Sequence, residues 1–176
     1  MRRRLADQGG FGLIELLISM TVLNIGILAL VAAFSSGVFA LNRASQTSTA
    51  STLASSQIEL YRAVRHIDIR LDTGLVADAN TDTLYASDSA HPSTQITAVC
   101  PLAPECNPSR STTGADGRAY RIDTYICWAT SAADPTCRAP TGDPAQDRLK
   151  RVTVVVRSNA GTAFARQVST FDRSTG

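Results

Sequence analysis

The chain reads as three stretches of different periodicity. From Phe11 to Phe34 nearly every position is apolar, the one charge is Glu15, and no further charge follows until Arg43. An apolar helix with no polar face is a core or membrane helix rather than the surface helix of a soluble domain. At about 1.5 Å per residue it is about 36 Å long, enough to cross a hydrocarbon core of about 30 Å. After Leu41 the pattern thins to a stripe of Ala50, Ala54, Ile58, Tyr61 and Val64, at helical spacing and with no proline before Leu71. The Ser and Thr residues between them are weak helix formers, so this stripe needs a sheet to pack against. Together the two stretches predict one long helix over residues 11–70, lowest in helix strength at Gly26 and Gly37.

The third stretch alternates with a period of two. Tyr120, Ile122, Thr124, Ile126 and Trp128 share one face of a strand that begins at Ala119, and Arg121, Asp123, Tyr125 and Cys127 share the other. Arg151–Arg157 places Val152, Val154 and Val156 inward and Thr153 and the arginines outward, toward solvent. A turn at Asn159-Ala160-Gly161 leads into a last strand over Ala163–Phe171. Short links between consecutive strands predict an antiparallel meander, with Trp128 a core residue where one face covers the helix. Between helix and sheet, residues 72–118 read as irregular, with a short strand at Gln95–Val99 and a loop over 101–118. The fold class is α+β: residues 11–34 and 35–71 form the helix, residues 119–176 the sheet.

Charge changes this picture little. The formal net charge is +2, but Arg2, Arg3, Arg4 and Asp7 stand ahead of the apolar run. Without them Lys+Arg falls from 17 to 14 and Asp+Glu from 15 to 14, so a nucleic-acid partner is not expected. The only lysine, Lys150, and its neighbours Arg148, Arg151 and Arg157 read as the solvent face of a strand, the alternative being an anion site. Four cysteines allow three pairings. Cys100–Cys106 and Cys127–Cys137 lead, because each closes a Pro-rich turn, with Cys100–Cys127 as the alternative. Their spacings lack the close pairs of a zinc site.

Candidate chemistry is sparse. Asp78, Asn80 and Asp82 echo the start of a calcium loop, but Thr83 stands where the turn glycine belongs and Ser89 where the bidentate glutamate belongs. The expected reading is a solvated, side-chain-capped turn. His66 and His91 have no nucleophile or metal-ligand spacing around them, and no Gly-rich phosphate loop is present. Neither an enzyme, a metal nor a cofactor is expected.

The informative junction is Gly9-Gly10-Phe11, after a short basic leader, with Glu15 at the fifth position counted from Phe11. This resembles the N-terminal signal of type IV prepilins and of type II secretion pseudopilins, and VLNIGILAL is most similar to PilV-type minor pilins. The resemblance covers about the first 35 residues, and it departs from many family members at Gly12, where they carry Thr. It implies a pilin-like fold and a structural role as a filament subunit. It implies removal of leader 1–10 by a prepilin peptidase that cuts between Gly10 and Phe11 and N-methylates Phe11. It further implies insertion in the cytoplasmic membrane with the head outside, then assembly with other pilin subunits in a pilus at the cell surface. Glu15 would offset the Phe11 amine of a neighbouring subunit, since either charge alone is costly in a dry bundle. A pseudopilin of type II secretion, or a minor pilin that itself binds a surface or DNA, are the alternatives within this class. Outside it stand a secretory signal cut near Ala40, against which the length of the apolar run and Glu15 both argue, and a plain unprocessed anchor.

Overall fold

The computed structural model describes residues 12–100, 104–131, 136–143 and 146–173. Contacts divide the chain into two compact units between Ala44 and Ser45. One helix, α1 (Leu13–Ala63), passes through both. It ends earlier than the expected residue 70. Arg65 turns into extended backbone, with φ −66° and ψ 148°, and a 3-10 turn follows over His66–Asp68. This turn, spanned by the Arg65–Asp68 ion pair at 2.9 Å, lets Ile69 and Leu71 drop into the core beside Tyr61. A straight helix would carry them past it.

The second unit is built on a five-stranded sheet. Its main path is β3 (Ser109–Thr113), β4 (Ala119–Ala129), β6 (Leu149–Ser158) and β7 (Ala163–Asp172), all antiparallel, and the two-residue β5 (Cys137–Arg138) pairs with the end of β4. In register, Ile122 faces Val156, Thr124 faces Val154 and Ile126 faces Val152. These residues and Tyr120 meet Ala50, Ala54, Ile58 and Tyr61 in one hydrophobic core. The helix stripe therefore packs on the sheet as its spacing implies. Gln57, on the same face of α1, is fully buried as well, and its Oε1 accepts a 2.8 Å hydrogen bond from Arg110.

Residues 72–118 are more ordered than expected. β1 (Leu71–Asp72) pairs in parallel with β2 (Thr97–Ala98), a shorter strand than Gln95–Val99. Between them lie α2 (Thr73–Ala79) and α3 (Thr83–Ala86). The Asp72 carboxylate caps α2, accepting from the N–H groups of Gly74 and Leu75, and the Asp82 carboxylate caps α3 through Leu84 N–H. Asp82 thus acts as a helix cap, and it also pairs with Arg121. Within the expected loop 101–118, β3 forms an edge strand. Its polar sequence, Ser109-Arg110-Ser111-Thr112-Thr113, carries no apolar alternation, so only the pairing with β4 makes it a strand.

The other face of the sheet is covered too. Tyr85 of α3 stacks on Tyr125 with ring centroids 4.5 Å apart, and Val155 completes a second small core. The arginines expected at the solvent are consequently buried: Arg151 and Arg157 are both less than one-tenth exposed, as is Thr153. Arg157 stands 2.6 Å from Asp88 and 2.9 Å from Asp123, the latter an ion-pair contact without hydrogen-bond alignment. Lys150 is also buried, its Nζ donating to the carbonyls of His66 at 2.7 Å and Ile69 at 2.8 Å. Trp128 is only half-buried. It lies with Lys150 Nζ 5.2 Å from its ring centroid, beside His66, rather than against the helix stripe.

Disulfides join Cys100 to Cys106 and Cys127 to Cys137, with Cα–Cα separations of 6.2 and 5.6 Å. The second fastens β5 to β4. The first holds the segment after β2, where Asp72 also accepts from the Cys100 N–H at 3.0 Å.

Candidate functional site

The first unit presents its hydrophobic side chains outward on all sides. Between Leu13 and Leu41 all the large apolar residues are at least half exposed, with Phe34 at 77% and Phe39 at 75%. The helix is long and apolar enough to cross a membrane by length and composition. Leaving so many large apolar groups in water is unfavourable by about 1.5–3 kcal/mol each relative to burial. This surface is therefore built for lipid or for other apolar helices.

The polar residues inside this run are adapted to such surroundings. Ser19 Oγ donates to the Glu15 carbonyl at 2.7 Å, and Thr21 Oγ1 to that of Ile18 at 2.7 Å. Asn24 Nδ2 donates to the Met20 carbonyl at 3.0 Å, and Ser36 Oγ to that of Ala33 at 2.9 Å. Each side chain thus bonds back to its own helix one turn earlier, which spares its donor the cost of standing unpaired in an apolar medium.

Glu15 differs. It lies in the first turn of α1, its backbone N–H donating to the Gly12 carbonyl at 3.0 Å, while its exposed carboxylate makes no ion pair among the described residues. A charge in the membrane core costs about 2.5–3.5 kcal/mol on insertion scales, and less near a helix end. The helix N-terminus beside it favours a negative charge. Its geometry leaves the carboxylate open to a partner from outside this chain. Gly10 and Phe11, the expected cleavage and methylation positions, lie outside the described residues.

The two histidines sit apart. His91 Nε2 is 2.9 Å from Asn80 Oδ1, and its ring stands edge-on to Tyr85 and Tyr125. His66 is in the 3-10 turn after α1, where burial and the charge of Lys150 lower its pKa. Among the described residues no group of three His, Cys, Asp or Glu could hold a metal. A cleft of about 590 Å³ does gather Arg70, Trp128, Lys150 and Arg173. These residues come from four separate segments, and no local spacing marks them as neighbours.

A family model described as the prokaryotic N-terminal methylation motif matches residues 5–31. Comparisons with curated proteins and with solved structures found no match. The matched segment contains Gly10, Phe11 and Glu15 and the first half of the exposed apolar helix. Together with the α+β architecture, the motif supports a subunit of the type IV pilin or pseudopilin kind.

Proposed function

We propose that this chain is a minor pilin, similar to PilV-type subunits, that assembles into a type IV pilus or related filament through α1. It is held in the cytoplasmic membrane as a single-pass precursor with the 45–176 unit outside. A prepilin peptidase cuts after Gly10 and methylates the new amine of Phe11. The observation that carries this reading is the helix of residues 13–41, apolar and exposed on every side, with its one carboxylate unpartnered at the end where the methylation motif lies. Apolar packing between subunit helices supplies most of the affinity. Glu15 sets the register, because only one axial position brings it to the Phe11 amine of a neighbour and offsets the desolvation of both. The role is structural rather than catalytic.

Mass spectrometry of the N-terminus of protein recovered from membranes tests this directly. N-methyl-Phe11 is the expected result. Leu41 at the N-terminus would indicate a secretory signal, and an intact Met1 an unprocessed anchor; either overturns the reading. Finding the processed subunit in sheared surface filaments separates a pilus from a periplasmic pseudopilus.

A further inference from the structure

We infer that the cleft at the C-terminal end of α1 is a binding site for an acidic saccharide, with the carboxylate held by Arg70, Lys150 and Arg173 and the sugar ring laid against Trp128. The cleft is open to solvent and has a volume of about 590 Å³, within the range of small-ligand sites. The 3-10 turn, Arg70 just before β1, β2, the ends of β4 and β6, and Arg173 just after β7 all contribute to its wall.

Its charges are unbalanced. Neither Arg70 nor Arg173 makes an ion pair among the described residues, and Arg70 Nε is buried without a hydrogen-bond partner. The Lys150 ammonium has three donors, of which two go to the neutral His66 and Ile69 carbonyls, and it makes no ion pair among the described residues. The acids nearby are already engaged: Asp147 with Arg138 at 2.8 Å and Asp68 with Arg65 at 2.9 Å. Elsewhere in the same unit the buried Arg157 is matched to Asp88 and Asp123. Arg70, Lys150 and Arg173 share the cleft with a single carboxylate, Asp147, which is already paired with Arg138, so the three cations repel one another. A bound carboxylate would relieve that, with guanidinium forks suited to bidentate contact.

The rest of the lining suits a ring rather than a bare ion. Trp128 is half-buried, and Ile67, Ile96 and Ala98 bring apolar surface to the same cleft. An indole left partly open beside aliphatic groups offers a flat apolar platform next to a polar rim. A pyranose that carries a carboxylate has a matching apolar face and a charged edge.

Trp128 is the only tryptophan in the chain, so its fluorescence reports the cleft alone. The full chain in detergent micelles is titrated with glucuronate, glucose and acetate. Glucuronate is expected to give a saturable change that weakens as salt is raised. Arg70→Gln and Arg173→Gln are each expected to weaken it about tenfold, the loss of one charge-assisted contact. Arg173 is exposed, so its variant keeps the fold and the comparison stays valid even if Arg70→Gln destabilises. No saturable response to glucuronate, or the same affinity in both variants, overturns the proposal. Glucose binding as well as glucuronate overturns the role of the cations, and acetate binding as well overturns the role of the ring.

Discussion

Arg157 Nη2 on β6 lies 2.6 Å from Asp88 Oδ2, and both side chains are more than nine-tenths buried. Asp88 also accepts from Arg166 at 2.8 Å and from the Ala90 N–H at 2.7 Å. Although burial by itself raises the Asp88 pKa, these donors outweigh it and hold the carboxylate below its usual range. The pair fastens the segment after α3 to the sheet. Asp88→Asn leaves Arg157 and Arg166 without this charge, and breaking a buried pair from one side costs about 3–5 kcal/mol. Asp123, 2.9 Å from Arg157 Nε, retains part of the compensation, so the lower end is expected. Chemical unfolding followed by the near-ultraviolet circular dichroism of Tyr85 and Tyr125 measures it.

Lys150 makes stability depend on alkaline pH. Burial, reinforced by the charge of Arg70 and opposed by Asp68, lowers its pKa to about 8. His66 and Arg173 also line its cleft. Between about 8 and the ordinary lysine value the unfolded chain binds a proton that the folded chain has released, so stability rises with pH in that window. Above about pH 10 the buried hydroxyls of Tyr61, Tyr85 and Tyr125, all pushed up by burial, reverse the trend. Thermal melts at pH 7.5, 8.5 and 9.5 should show a rising Tm that flattens in Lys150→Met.

Glu15→Ala should separate processing from assembly. The proposed cut lies at Gly10–Phe11, ahead of Glu15, so N-terminal mass spectrometry should still find methylated Phe11. Incorporation into filaments should fall, because the neighbouring amine loses its partner. Normal amounts of the variant in sheared filaments would remove Glu15 from its register role.

Gly114 is held to glycine by space. A Cβ there would stand 2.6 Å from Thr49 Cγ2 of α1 and 2.7 Å from Tyr120 Cε2. Gly114→Ala should push the helix from the sheet at this corner and cost about 1–3 kcal/mol, as overpacking does. Substituting Ala at Gly37, where nothing lies within 4 Å, should instead leave the head's unfolding midpoint unchanged.

Much of the fold was legible because its signals are local. The uninterrupted apolar run, the spacing of Ala50, Ala54, Ile58 and Tyr61, and the alternation in β4 and β6 each depend on a few neighbouring residues. What escaped notice depends on partners far along the chain. Arg151, Thr153 and Arg157 alternate with Val152, Val154 and Val156 and so read as a solvent face. They are buried because α3 and the segment after it bring Tyr85 and Asp88 onto them. β3 has no strand pattern of its own and exists through its register with β4.

The candidate sites divide in the same way. Gly10, Phe11 and Glu15 stand out in the sequence by itself, because the methylation motif that contains them is one linear segment. The chain also determined its apolar helix, its sheet and its fold class. Only the tertiary structure decided that both faces of the sheet are covered and that Trp128 leaves the helix contact for a cationic cleft. Burial of a charge depends on what folds over it, and Lys150, Arg70 and Arg173 share a cleft only once the strand ends and the turn after α1 have converged.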